Sequence, residues 1–279
     1  MGYQYYHYEP SVIATIPFAV LFALTSVIHL WQMIRPRTWY MIPFIIGALF
    51  EALGYVFRYI SARQTPNWTM KPYVGQQVLI LLGPALFAAS IYMLLGRIIR
   101  VLNASSISPI RVNWLSKIFV SGDVISFMLQ GGGGGILATA KTAHKSQMGQ
   151  AMILGGLLVQ IIFFGLFIVT SIIFHRRMLK TPLHQMGTSI AWVKYLRILY
   201  FISALIMIRS IYRVAEYAEG MNGALAREEA LIYILDALLM LICCAVLNVF
   251  HPSKVVSGRQ LDYRAREDVE MRTGYQPAQ

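Results

Sequence analysis

Seven apolar runs, each long enough to cross a bilayer, occupy most of this 279-residue chain: Val12–Ile34, Tyr40–Ser61, Val74–Gly96, Leu115–Ala140, Gln150–Phe174, Tyr195–Tyr217 and Arg227–Phe250. A helix needs about 20 residues to span hydrocarbon some 30 Å thick, so seven spans and short connections leave no room for a separate soluble domain. Lipid offers no partner to backbone N–H and C=O groups, so each run must bond internally as a helix. The predicted fold class is therefore all-α, a polytopic membrane protein with a seven-transmembrane-helix bundle. Residues 1–11 form an N-terminal segment, 12–250 the transmembrane domain and 251–279 a tail. Composition agrees: 13% of residues are charged and 57% hydrophobic, where a soluble domain carries roughly 25% charged residues. The fourth and sixth runs are the least clean, being interrupted by Gly131–Gly135 and by Arg209 and Arg213.

The net charge of +12 would suggest nucleic acid in a soluble protein, but here the basic residues gather at helix ends and no nucleic-acid partner is expected. Taking alternate segments, one set (Arg35–Trp39, Arg97–Lys117, His175–Lys194 and the tail from His251) holds 15 Lys and Arg against 4 in the other. Basic residues are retained in the cytosol during insertion, so the first set is cytosolic, the N-terminus is outside and the C-terminus is cytosolic. Asn67 in Asn-Trp-Thr then falls in an outside loop as a glycosylation acceptor. Met1–Ser11 lacks the basic start of a cleavable signal peptide, so the first run stays as an anchor. The tail, mixed in charge and poor in apolar residues, is expected to be largely disordered.

Several function classes lose their support on residue grounds. A retinal protein needs a Schiff-base lysine inside a span, and no span interior has one. Large heptahelical receptors tie their outer face with a disulfide, but the only cysteines, Cys243 and Cys244, are adjacent within an apolar run; they are left as lipid-facing or packed small residues. His29 and His251 stand alone without a paired-ligand spacing, so no metal and no cofactor is expected. No nucleophile and base stand out as a dyad, so no catalytic residue is assigned and the chain is read as not an enzyme. A nucleotide-binding loop is also missing, which removes ATP as a direct energy source and leaves a substrate or proton gradient, with Glu51, Asp123 and Asp236 as candidate proton carriers.

What remains is a set of polar residues inside the spans. Glu51 and Arg58, Asp123 and Gln130, Arg209 and Glu216, and Glu229 and Asp236 are each seven residues apart, which on an α-helix places both members within about 20° of one face. Two readings stand: a polar cavity for a substrate head group, or interhelical pairing that holds the bundle together. Arg213 is spaced to pair with Glu216 along its helix, while Arg209–Asp236 and Arg58–Asp123 are candidate pairs across helices. The glycine run also has two readings, an unwound or closely approached helix segment and an early helix end followed by a loop.

From Tyr8 to Pro252 the order of motifs resembles one family. The pieces are Tyr8, Glu9, Pro10 and Ser11; Glu51, Gly54, Tyr55 and Arg58; Pro84, Ala88, Ala89, Tyr92, Gly96 and Arg97; Asp123, Gln130 and the glycines; Gly156 and Gln160; Arg209, Tyr212, Arg213, Glu216 and Gly220; and Glu229, Tyr233, Asp236, Asn248, His251 and Pro252. Together they look like the fungal lipid-translocating exporter-like proteins, the group named for resistance to aminocholesterol. The resemblance implies export or transbilayer movement of amphipathic lipids or lipid-like toxicants (sphingoid bases, sterol-like compounds or phospholipids), conferring resistance at the plasma membrane. The candidate substrate-binding set is Glu51, Arg58, Asp123, Gln130, Gln160, Arg209, Arg213, Glu216 and Asp236. An amine head group would favour the acids and a phosphate the arginines. The alternative from another class is a membrane lipid sensor signalling through cytosolic loops and tail.

Overall fold

A computed structural model describes residues 10–140, 142–181, 192–219, 223, 225 and 228–252. The expected segment before Pro10, Gly220, Arg227 and the tail from Ser253 lie outside the described residues. Seven helices are long and apolar enough to cross a membrane: α1 Val12–Ile34, α2 Ile42–Ala62, α3 Met70–Val101, α4 Val112–Thr139, α5 Ala143–Leu179, α6 Trp192–Glu219 and α7 Glu229–Val249. No strand occurs among the described residues. The seven spans match the seven apolar runs, but α3 and α5 are longer than predicted, at 32 and 37 residues. Polar first and last turns, such as His144 and Lys145 or Arg176 and Arg177 of α5, carry the helix past the apolar stretch. Ser11 starts α1 by accepting a hydrogen bond from the Ala14 N–H, and Thr142 does the same for Lys145 in α5.

Successive helices alternate in direction. The end where α1, α3, α5 and α7 begin is called the N-face below, and the opposite end the C-face. Chain neighbours pack side by side from α1 to α6; α7 closes the bundle by lying against both α1 and α6, and α3 reaches across to α6. The chemistry is the reverse of a soluble protein's. Large apolar side chains such as Ile13, Val20, Val27, Met128, Ile162 and Phe201 face outward. Glu51, Arg58, Asp123, Arg209, Arg213 and Asp236 are buried inside, where charges are tolerated in a membrane.

Without a hydrophobic force between helices in lipid, close backbone approach and polar bonds must do the joining. Two glycine seams supply the approach. Between α2 and α3, a Cβ on Gly47 would stand 2.7 Å from the Gly83 carbonyl, and one on Gly83 would stand 2.8 Å from the Glu51 carboxyl. Between α4 and α5, a Cβ on Gly133 would lie 2.6 Å from the Gly149 carbonyl, and one on Gly149 would lie 2.8 Å from that of Gly133. Gly131–Gly135 is thus neither unwound nor an early end: it stays helical, and the part of its first reading that holds is the close approach of a second backbone. Cys243 and Cys244 are both buried and free, packed within the bundle and not lipid-facing.

Two helices depart from regular α geometry. Pro84 lies within α3, and residues Tyr233–Leu238 of α7 wind as a π-helix between two α segments. At the C-face a row of cations lies over aromatic rings: Arg35 over Trp31, Arg97 over Tyr40, Lys117 over Trp114 and Lys194 over Phe250, at 4.6 to 5.4 Å. Such amphipathic rings belong at the level of lipid head groups.

Candidate functional site

The two irregular helices are both engaged by one side chain of α6, Arg209. Proline lacks an N–H, so the carbonyl four residues earlier loses its helical donor. In α3 that carbonyl belongs to Ile80, and the Arg209 guanidinium of α6 fills the gap by donating to it at 2.9 Å. Arg209 also pairs with Asp236 of α7, and Arg213, one turn along α6, pairs with the other oxygen of the same carboxylate. Arg213 further bonds Glu216 at 2.9 Å. Asp236 is 0% exposed and Arg209 1%, so bulk solvent screens neither charge. Glu51 of α2, 1% exposed, lies within the electrostatic reach of Asp236, Arg209 and Arg213. It forms no ion pair among the described residues, and its Oε1 has no hydrogen-bond partner there.

A second layer lies roughly 10 Å nearer the N-face, the rise of seven residues along a helix. Here Arg58 of α2 bonds Glu229 of α7 at 2.8 Å and the Tyr233 hydroxyl at 3.0 Å. Both Glu229 oxygens also accept from the Ser11 N–H at 3.0 Å, so one carboxylate ties the start of α1 to α2 and α7. Phe18 stacks on Tyr233 and Phe22 on Tyr55 beneath this layer. Arg58→Gln is expected to cost about 1.5–3 kcal/mol, the range for a hydrogen bond to a charged group. Faster hydrogen exchange at Ser11–Thr15, with the lower bundle unchanged, is the readout.

A third group spans α3, α4 and α5. Asp123 has the Tyr92 hydroxyl as its polar neighbour, and Tyr92 packs on Phe119, Phe164 and Phe167. No cation pairs with Asp123 among the described residues. Nearer the N-face, the Gln130 amide nitrogen donates to Ser126 at 2.5 Å and to Gln160 at 3.2 Å, while Ser126 bonds the Gly156 carbonyl at 2.7 Å. Gly156 makes this possible, since a Cβ there would stand 2.8 Å from Gln130. On the C-face, His29 donates to the Cys244 carbonyl at 3.1 Å, and burial pushes the His251 imidazole down to about 4. No group of three metal-ligating side chains gathers among the described residues.

The polar set thus divides into three clusters rather than one stripe. Arg213 meets Glu216, as their spacing suggests, and of the two candidate pairs across helices Arg209–Asp236 forms whereas Arg58 takes Glu229 and not Asp123. The heptad reading of α7 fails for a local reason. The π winding of Tyr233–Leu238 takes more residues per turn than an α-helix, so Asp236, which lies inside it, departs from the α-helical register of Glu229. Glu229 therefore addresses α1 and α2 while Asp236 addresses α6. The Ile80 carbonyl, Tyr92 and Tyr233 had not been assigned to the site. Pro84 was the available signal for the first, because a proline inside a span announces a free carbonyl one turn back.

The fold and its buried charges define a multi-pass, seven-helix membrane protein. A family described as "RTA1 like protein" matches residues 44–259, and the chain belongs to that family. It is 34% identical over 283 residues to protoporphyrin uptake protein 1 of Saccharomyces cerevisiae, covering 89% of this chain and 92% of the relative. It is also 34% identical to protein RTA1 of the same species over 277 residues, covering 90% and 86%. The sphingoid long-chain base transporter RSB1, also of Saccharomyces cerevisiae, is 26% identical over 284 residues, covering 90% and 74%. No solved structure matches the chain.

Proposed function

We propose that this protein moves single-chain amphipathic lipids with a cationic amine head group across the bilayer, with the C-face in the cytosol. One observation carries the choice of head group. Arg58, Arg209 and Arg213 are all ion-paired to acids, whereas the deep acids Glu51 and Asp123 have no salt-bridge partner among the described residues. A phosphate head group would have to displace an acid from an arginine. An ammonium would bring the charge that the two acids lack. Beside Asp123 stands Tyr92, itself packed on Phe119 and Phe164, and ring faces attract ammonium groups. Irregular helices meeting charged groups inside a membrane are also how many transporters build a central site. The printed name of the relative RSB1, a sphingoid long-chain base transporter, is consistent with this reading. Resistance to toxic amphipaths at the plasma membrane is the proposed cellular outcome.

The test is flux in proteoliposomes of a sphingoid base labelled on its tail, its N-acylated uncharged counterpart and a phospholipid. The wild type is expected to move the amine and not the other two. Asp123→Asn and Glu51→Gln should each slow it about 10-fold or more, a contact to a charged group being worth about 1.5–3 kcal/mol. Equal flux of all three lipids would remove the amine reading. Saturable binding of the amine without flux would move the protein to the lipid-sensor class.

A further inference from the structure

The five consecutive glycines of α4, Gly131–Gly135, do not all serve the helix seam. Gly132 and Gly133 face α5, where an added Cβ would strike Met152 or the α5 backbone. At Gly131, Gly134 and Gly135 an added Cβ would meet nothing within 4 Å. These three instead line a cleft of about 150 Å³ between α3 and α4, walled by Val74, Val78 and Leu81 and reaching Ile153 of α5 and Tyr217 of α6. Gly131, Gly135 and Val78 are exposed, so the cleft opens on the flank of the bundle.

We infer that this glycine-floored cleft is the seat of one alkyl chain of a single-chain amphipath. This assignment rests on the proposed lipid substrate and adds where its tail lies. Four observations fix the occupant. Apart from Gln77, Gln130 and the hydroxyls of Tyr73 and Tyr217 the lining is aliphatic, aromatic or glycine, and the opening lies on the flank of two membrane-spanning helices. The volume suits a slender group: a cavity near 150 Å³ is known to take a single benzene, so there is room for about six chain carbons. The glycines keep one wall flat, as close passage of a straight chain requires. Last, Gln130 is only 5% exposed and lines the cleft, and its amide nitrogen is engaged by Ser126 and Gln160. Its carbonyl oxygen is the acceptor offered to an O–H or N–H near the head of the chain.

The experiment uses the full chain in nanodiscs with a long-chain amine carrying a photoreactive diazirine at its tail, and maps the adducts by mass spectrometry. Adducts are expected on Tyr73–Leu81 and Gly131–Leu137, competed by unlabelled long-chain amine. Gly134→Leu, which fills the cleft while improving helix propensity, should raise the concentration for half-maximal labelling of those segments about 10-fold or more, a loss of about 1.4 kcal/mol. Gly134→Ala should fall between. Labelling of these segments that phospholipid displaces and the amine does not, or labelling unchanged in Gly134→Leu, overturns the assignment. The two readings separate cleanly: amine flux with adducts elsewhere discards the cleft alone, whereas competed adducts in the cleft without flux discard the transport reading alone.

Discussion

Asp236→Asn is expected to lower the thermal unfolding midpoint of the purified protein sharply, by the equivalent of about 3–5 kcal/mol, the cost of stranding a buried charge. The substitution keeps shape and removes only charge, yet this one carboxylate neutralises two guanidinium groups at 0% exposure. Arg213 keeps Glu216 when Asp236 is gone, but Arg209 keeps only the Ile80 carbonyl, with Glu51 nearby. Arg209 is therefore the group left stranded. The double variant Asp236→Asn/Arg209→Gln is accordingly expected to be more stable than Asp236→Asn alone, because it removes the charge that has lost its counterion. Neighbours coupled in this way depart from additivity by about 0.5–3 kcal/mol. A double variant whose loss equals the sum of the two single losses would mean that the pair is not coupled and that the charges are met in some other way.

The second large effect separates two adjacent glycines. Gly133→Leu is expected to break the α4–α5 seam, since its Cβ alone would lie 2.6 Å from the Gly149 carbonyl and 2.8 Å from the Ile153 nitrogen, both backbone atoms unable to swing aside. The helices must part. That strains the bonds from Ser126 to Gly156 and from Gln130 to Gln160 that the seam holds in register. Overpacking typically costs about 1–3 kcal/mol, and a contact with backbone on both sides belongs at the upper end. Gly134→Leu, one residue further on, meets open space and should leave the unfolding midpoint where it was. Equal losses in the two variants would mean that the face a glycine presents does not decide the outcome.

Why the sequence announces the bundle but not the wiring follows from what each depends on. A span is a local property: twenty apolar residues must be helical in lipid whatever their neighbours do, so all seven could be read directly. The Arg213–Glu216 contact is local in the same way, being set by helix periodicity. Arg58 choosing Glu229 over Asp123 depends on how seven helices are arranged around α3, and no spacing within one helix encodes that. The glycine run was ambiguous because low helix propensity points to a loop, while in lipid the backbone gains nothing by unwinding and the helix persists. The π turn of α7 is invisible to a pattern that assumes 3.6 residues per turn throughout, and it falls where Asp236 must turn towards α6.

The row of cations over aromatic rings has a consequence for how the protein meets membranes of different thickness. Arg35, Arg97, Lys117 and Lys194 hold the C-face to one depth, whereas on the N-face surface the comparable described contact is Arg63 over Tyr59. A mismatch between bundle and bilayer is thus taken up at the opposite end, where α5 projects its first turns from Ala143. Sterol-rich membranes are a few ångströms thicker than those of the endoplasmic reticulum, so the flank opening beside Gly135 lies deeper in hydrocarbon in the former and closer to the head groups in the latter. With an alkyl chain seated in that cleft as proposed, bilayer thickness would act as a setting on lipid entry without any change in the bundle's own contacts.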